Sequence, residues 1–192
     1  MSPLLSPPAL SARTRFAPLV LACLLVAVPR AWCQPQELAG NPGMESGKHG
    51  GPPEGWVANS YGELVTTLSW DADMAHTGKA SLRLQCQVFR GGAAQAYLPV
   101  DSVRTGETYT LRAWMRGERS SAPAQLLIRD IGPPYHNYLG TSALVTGEWR
   151  PVVAIGKADA GGNSVGLFVN FQSAGTLWLD DLSLSVGEHP VA

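Results

Sequence analysis

Residues 81 to 88 read Ser81-Leu82-Arg83-Leu84-Gln85-Cys86-Gln87-Val88, with an apolar side chain at every second position. This period-two alternation is typical of a β-strand with one buried and one exposed face. Leu82, Leu84, Cys86 and Val88 therefore share the predicted inward face. Cys86 is accordingly predicted to be a small core side chain rather than a reactive thiol.

The same alternation recurs along the chain between Gly, Pro, Asn and Asp residues, and no stretch of a dozen residues has helical periodicity. The clearest predicted strands are Ser81 to Val88, Ala94 to Val100, Thr108 to Arg116, Gln125 to Asp130, Arg150 to Ile155, Val165 to Gln172 and Thr176 to Ser185. Weaker ones are Leu38 to Met44, Gly55 to Ser60 and Leu64 to Trp70. About ten strands in one domain predict an all-β fold, a two-sheet antiparallel β-sandwich or jelly roll.

Composition limits the possible functions. The chain has 192 residues, with 14 Lys and Arg against 15 Asp and Glu, a formal net charge of -1. A protein without a basic excess lacks the electrostatic footprint of nucleic-acid binding, so we expect no nucleic-acid partner.

The N-terminal residues have the plan of a secretory signal peptide. Arg13 and Arg15 precede an apolar run from Phe16 to Val28, and Ala31-Trp32-Cys33 supplies small side chains for cleavage before Gln34. The run is shorter than the roughly 20 residues that a membrane span needs. We expect residues 1–33 to be removed and the protein to be secreted, with no membrane attachment afterwards. A retained anchor and a lipoprotein signal ending at Cys23 are the alternatives.

The expected mature chain forms one domain. Removal of Arg13, Arg15 and Arg30 from the 14 cations leaves 11 against 15 acids, a net charge of -4. Cys86 is then the remaining cysteine, so no intrachain disulfide is expected. Residues 34–37 are predicted to be a short linker, 38–186 the β-sandwich and 187–192 a C-terminal tail.

Five short motifs stand in order along this domain. They are Asn41-Pro42-Gly43-Met44-Glu45 with Gly55-Trp56, His76 to Leu84, Gly106 to Gly117, Thr146-Gly147-Glu148-Trp149, and Thr176 to Leu184. Together they resemble carbohydrate-binding modules of the CBM4/9 (CenC-like) type, which have a galactose-binding-domain-like jelly roll. One departure is Met44, where the family usually has Phe.

The resemblance implies a structural calcium ion that ties the N-terminal segment to the last strand. Calcium takes six to eight oxygen ligands. Glu45 and Asp180 occupy the matching acidic positions, and Lys79 stands in a turn that offers a backbone carbonyl. The alternative is that both carboxylates only accept hydrogen bonds from turn amides.

Sugar binding requires an aromatic face beneath the pyranose ring and polar groups around it. Side chains at every second position of a strand share one face, a property called strand parity here. Strand parity predicts outward side chains that meet both needs. The candidate aromatic platforms are Trp114, Tyr97 and Phe168, and the candidate polar contacts are Gln95, Arg112, Arg116, Asn170 and Gln172. The loop Gly132 to Tyr138 adds Tyr135 and Tyr138 as a possible wall of a cleft. Parity alone leaves open whether these residues share one sheet.

We therefore expect a non-catalytic, monomeric module that binds a polysaccharide or oligosaccharide, with a separate glycoside hydrolase as a possible partner. An enzyme is disfavoured, because Asp180 and Asp181 point to opposite faces of a strand and neither HExxH nor GxSxG occurs. The alternative is a protein-interaction or cell-surface adhesion module on the same fold, which would present a flatter apolar patch instead of a groove.

Overall fold

The structure is a computed structural model that describes residues 37–118 and 121–187. The predicted signal peptide, residues 34–36 of the predicted linker and residues 188–192 of the predicted tail lie outside the described residues. The described residues form strands and no helix, so they contain no apolar helix of membrane-spanning length.

Ten β-strands build the described part of the chain. Their bounds are β1 (Val57–Ala58), β2 (Leu64–Asp71), β3 (Ser81–Phe89), β4 (Ala94–Val100), β5 (Thr108–Gly117), β6 (Ala122–Asp130), β7 (Asn137–Val145), β8 (Arg150–Lys157), β9 (Val165–Phe171) and β10 (Gly175–Val186). The first sheet has the order β1-β4-β9-β6-β7 and the second sheet the order β2-β3-β10-β5-β8. All pairings between these ten strands are antiparallel, which confirms the predicted two-sheet sandwich.

One hydrophobic core joins the two sheets. Leu126 and Val169 of the first sheet lie in the same buried cluster as Leu84 and Leu111 of the second. Each such side chain contributes about 1.5–3 kcal/mol when it leaves water. Cys86 lies in this cluster, as predicted, and burial raises the pKa of its thiol.

The inward prediction for Val88 is wrong, because this side chain is 41% exposed. Val88 pairs with Val65, whereas the next residue of β2, Thr66, pairs with Cys86, so Gln87 is an extra residue in β3. A bulge of this kind shifts the parity of the residues beyond it.

Two further strand predictions differ from the structure. Residues 38–44 form no strand, since Asn41 and Met44 have φ angles of 49° and 52°, outside the extended region. Strand β7 was not predicted, because Gly140, Thr141 and Ser142 interrupt its apolar alternation. It is an edge strand that pairs with β6 alone in its sheet. The predicted strand Gly55 to Ser60 shortens to β1.

Glu37 ties the start of the described chain to β10. It forms a β-bridge with Ser185, and its carboxylate accepts hydrogen bonds from the amides of Ala39 at 2.7 Å and Leu184 at 2.9 Å. The residue of the predicted linker that the structure describes is therefore hydrogen-bonded to the last strand.

Candidate functional site

The predicted sugar-binding residues lie on two different sheets. Gln95 and Tyr97 belong to β4, and Phe168 and Asn170 to β9, in the first sheet. Arg112, Trp114 and Arg116 belong to β5 in the second sheet. Since the outer faces of a sandwich point in opposite directions, these residues do not form one site.

A row of amide side chains crosses the outer face of the first sheet. Gln95, Asn170 and Gln125 are cross-strand partners on β4, β9 and β6. Gln95 Nε2 donates to the side-chain oxygen Oδ1 of Asn170, and Asn170 Nδ2 donates to Gln125 Oε1 at 3.1 Å. Asn59 Nδ2 extends the row by donating to Gln95 Oε1 at 3.3 Å. These hydrogen bonds fix the orientation of the polar groups before any ligand arrives.

An aromatic and cationic layer lies beside this row. The rings of Tyr97 and Phe168 stack with centroids 5.0 Å apart, and Arg129 Cζ lies 4.1 Å from the Phe168 centroid. Phe168 is completely buried, so it is not available as the exposed platform that parity indicated. Its ring instead supports the guanidinium of Arg129, which donates from Nη2 to Gln95 Oε1 at 2.9 Å.

These side chains border an open cleft of about 400 Å³, lined by Asn59, Tyr61, Gln95, Arg129 and Tyr135. Tyr61 and Tyr135 are 54% and 52% exposed. The Tyr61 backbone is held by two hydrogen bonds with Ala93, of 3.1 and 3.0 Å. Tyr135 follows two prolines, and its amide donates to the Gly132 carbonyl at 2.8 Å. The fixed backbones of Tyr61 and Tyr135 present two exposed aromatic rings to the cleft.

Arg129 is the cationic residue in this lining, and the lining includes no carboxylate. Burial lowers the pKa of the Arg129 guanidinium, while Tyr61 and Tyr135 act in the opposite direction. Arginine keeps its proton in proteins, so this group is a cation at physiological pH.

Trp114 lies under a loop on the second sheet. The His76 ring stacks on it at 3.9 Å with an interplanar angle of 15°, and the Trp149 ring lies 5.7 Å from the same histidine in a T-shaped arrangement. Asp181 holds that loop through His76 Nδ1 and through the Thr77 hydroxyl at 2.6 Å. Trp114 is therefore a half-buried packing partner of the loop.

The neighbours of Trp114 on β5 are also half-buried. Arg112 and Arg116 each have a buried Nε atom without a hydrogen-bond partner among the described residues. Arg116 Nη1 points at the sulfur of Met74, at 3.4 Å. Neither arginine is close to the cleft, which the opposite sheet forms.

Two further candidates lie outside the cleft lining. Tyr138 is only 7% exposed and donates to Asp130 Oδ1 at 2.7 Å; burial, with Asp130 and Asp159 nearby, raises its pKa to about 12. This ring cannot stack on a sugar from its buried position. Gln172 is exposed just beyond the end of β9.

The predicted metal ligands converge on one turn, residues 76–79. The Lys79 amide donates to Glu45 Oε1 at 3.0 Å and lies 3.3 Å from Oε2. Asp180 is fully buried and accepts from His76 N, Thr77 N and Asp181 N at 2.7, 3.2 and 2.8 Å. Burial raises the pKa of Asp180, and these amides act in the opposite direction. Among the described residues no group of three or more His, Cys, Asp and Glu side chains is placed to hold a metal ion.

The sequence prediction missed three residues of the cleft lining, Asn59, Tyr61 and Arg129, and also Gln125 of the neighbouring amide row. Gln125 and Arg129 stand four residues apart on a predicted strand, so their side chains point to the same face. Their outward direction was therefore sufficient to find them. Asn59 and Tyr61 stand between β1 and β2, where no periodicity marks them. The order of the strands brings all four together.

No protein-family model matches the sequence, and no curated protein matches it. Several solved structures do. A CBM4 structure is 26% identical, with a TM-score of 0.54 over 70% of this chain and 96% of its own. The N-terminal cellulose-binding domain of Cellulomonas fimi β-1,4-glucanase C is 25% identical, with a TM-score of 0.53 over 77% of this chain and 95% of its own.

The CBM22-1 xylan-binding domain of Paenibacillus barcinonensis Xyn10C shares the fold, with 18% identity and a TM-score of 0.53 over 81% of this chain and 95% of its own. These matches cover nearly the whole length of each solved module. The CBM4 structure and the cellulose-binding domain confirm the resemblance of this chain to jelly-roll carbohydrate-binding modules of the CBM4/9 type, which the sequence motifs indicated. The xylan-binding domain shows the same fold.

Proposed function

We propose that the protein is a secreted, non-catalytic module that binds a polysaccharide or oligosaccharide in the cleft of the first sheet. The observation that carries this proposal is the pair of half-exposed tyrosines, Tyr61 and Tyr135, in one cleft with Gln95, Asn59 and Arg129. Rings supply flat apolar surface for the C–H face of a sugar, and amides and a guanidinium supply hydrogen bonds to its hydroxyls.

The amide row supports the same proposal. A polar group that already has a fixed partner loses little conformational freedom when a ligand binds, so a preorganised row favours affinity. The similar solved domains are described as cellulose-binding and xylan-binding, which supports a glycan ligand at the level of the family.

A non-catalytic role agrees with the chemistry of the lining. Hydrolysis of a glycosidic bond usually employs two carboxyl groups about 5 to 9.5 Å apart. The cleft residues Asn59, Tyr61, Gln95, Arg129 and Tyr135 include no carboxyl group. Secretion rests on the predicted signal peptide.

Affinity gel electrophoresis against a panel of soluble polysaccharides tests the proposal. We expect at least one polysaccharide to retard the protein, and Tyr135→Ala to lose the retardation while its unfolding midpoint stays unchanged. Leu144→Ala is the control, because Leu144 is 65% exposed on β7 and does not line the cleft. Equal retardation of Tyr135→Ala and the wild type for every bound polysaccharide would contradict the assignment to this cleft.

We further propose a structural calcium ion at the turn 76–79, with Glu45 and Asp180 as carboxylate ligands and Lys79 as a carbonyl ligand. Glu45 and Asp180, from distant parts of the chain, both contact this turn, and this supports the proposal. A chelator is then expected to lower the thermal midpoint by several degrees, because a ligand that binds only the native state stabilises it. Differential scanning calorimetry with and without added calcium measures this shift.

Glu45→Ala is expected to abolish the calcium response, whereas Glu63→Ala, an exposed carboxylate elsewhere, leaves it intact. A thermal midpoint that is identical in chelator and in calcium would exclude a structural calcium ion. The amide hydrogen bonds to Glu45 and Asp180 would then be the whole role of these carboxylates.

Trp114→Ala is expected to reduce the free energy of unfolding by about 2 kcal/mol, because it removes a half-buried ring that stacks on His76. Glycan affinity should not change, since Trp114 lies on the sheet opposite the cleft. Chemical denaturation and affinity gels measure the two effects, with Trp114→Phe as the ring-preserving control. Lost glycan retention at unchanged stability would instead return Trp114 to the binding site.

A further inference from the structure

We propose that the cleft selects sugars that carry a carboxylate, such as uronic-acid residues in a glycan chain, through a charge-assisted contact with Arg129. This inference rests on the proposed function and names the ligand class of the same site.

The first support is the hydrogen bonding of Arg129. Within the described ranges its guanidinium donates from Nη2 to Gln95 Oε1, which is a neutral acceptor. Its Nε atom is buried without a hydrogen-bond partner, and no carboxylate lies within ion-pair distance of it in the described part of the chain. The charge thus has no counterion within the described protein.

The second support is the setting of that charge. The guanidinium rests on the buried Phe168 ring at 4.1 Å and lies 5.8 Å from the Tyr135 centroid. Aromatic faces stabilise a cation but supply no negative charge. Burial is also the main reason that the pKa of Arg129 is lowered. A partly desolvated cation without a counterion gains more from an anionic ligand than from a hydroxyl group.

The third support is the geometry of the exposed end. Because Nε is buried, a ligand in the cleft approaches the terminal nitrogens, where the planar guanidinium can hold both oxygens of a carboxylate. Uronic acids are ionised at neutral pH, as other carboxyl groups are. Tyr61 and Tyr135 supply ring surface in the same cleft, so one saccharide chain can use both kinds of contact.

The test compares saccharides that differ only in charge. Oligogalacturonate is titrated beside its methyl ester, which keeps the sugar chain and removes the negative charge. Glucuronic-acid-substituted xylo-oligosaccharide is likewise titrated beside its methyl ester. A sulfated galactan oligosaccharide, titrated beside the unsulfated galactan, is a third arm that separates carboxylate from sulfate. Isothermal titration calorimetry of the whole protein measures each affinity.

We expect at least one carboxylated member to bind about tenfold or more tightly than its neutral partner, the range for a charge-assisted hydrogen bond. Arg129→Gln should abolish this preference and leave weak binding of the neutral member. Arg129→Lys keeps the charge but lacks the planar guanidinium that can hold both carboxylate oxygens. It should therefore show part of the preference that Arg129→Gln loses. Arg83→Gln is the control, because Arg83 also has a buried, unpartnered Nε but lies on the second sheet.

Four outcomes would overturn the inference. Equal affinity for carboxylated and neutral partners would remove the charge selection and leave the proposed sugar-binding function in place. A preference for sulfate over carboxylate would show that the inference names the wrong anion. An acid preference that survives in Arg129→Gln would place the contact elsewhere. If no saccharide in any arm or in the polysaccharide panel binds, the proposed function itself fails, and the inference fails with it.

Discussion

Tyr61→Ala is expected to weaken glycan binding by about tenfold or more, because the loss of a stacked ring removes about 1.5–3 kcal/mol of burial and contact energy. The ring is 54% exposed and lines the cleft, so the free protein gains little stability from it. Chemical denaturation should therefore give the same free energy of unfolding within about 0.5 kcal/mol. Calorimetry with a saccharide found by the polysaccharide panel measures the loss of affinity.

Tyr61→Phe separates stacking from hydrogen bonding. It keeps the ring and removes the hydroxyl, so we expect most of the affinity to remain. The backbone hydrogen bonds between Tyr61 and Ala93 are unaffected by either substitution. If Tyr61→Ala binds a saccharide with the same affinity as the wild type does, this ring is not part of the site.

Strand parity predicted the core because it is a local property. In β9, Val165, Leu167, Val169 and Phe171 alternate with Gly166, Phe168 and Asn170, and the first four lie in the core cluster. No knowledge of neighbouring strands is needed for that assignment. Parity fails where the pairing contains an extra residue, as at Val88, since the pattern of one strand does not reveal a bulge against its neighbour.

The candidate site required information that parity does not contain. Gln95 and Trp114 both point outward, but β4 and β5 belong to different sheets, so their side chains lie on opposite faces of the molecule. The strand order that separates them depends on long-range pairing, such as that of β4 with β9.

A side chain that points outward from its sheet is not necessarily exposed to solvent. Phe168 points away from the core and is nevertheless completely buried, because Tyr97 and Arg129 cover it. The sequence places Arg129 on a predicted strand but not over that ring. Tyr61, which lies in the connection before β2, becomes a cleft residue only through its bridge to Ala93.

Asp180→Ala is expected to lower the free energy of unfolding by about 3 kcal/mol or more. Three part-buried amides lose their carboxylate acceptor, and a hydrogen bond to a charged group contributes about 1.5–3 kcal/mol. Asp180 is fully buried and accepts from His76, Thr77 and Asp181. The first two amides belong to the loop that places His76 on Trp114, so the variant should also loosen that stack. Urea unfolding and the tryptophan emission spectrum measure the two effects.

Asp73→Ala is the matched control, because Asp73 is an exposed carboxylate in the same loop, and it should change stability by less than about 0.5 kcal/mol. Repeating both unfolding curves in chelator separates two roles of Asp180. If its hydrogen bonds dominate, the loss in Asp180→Ala is the same in chelator as in calcium. If metal ligation dominates, chelator lowers the wild type toward the variant and the difference between them shrinks. Asp180→Ala as stable as Asp73→Ala in both conditions would mean that β10 does not hold this loop through Asp180.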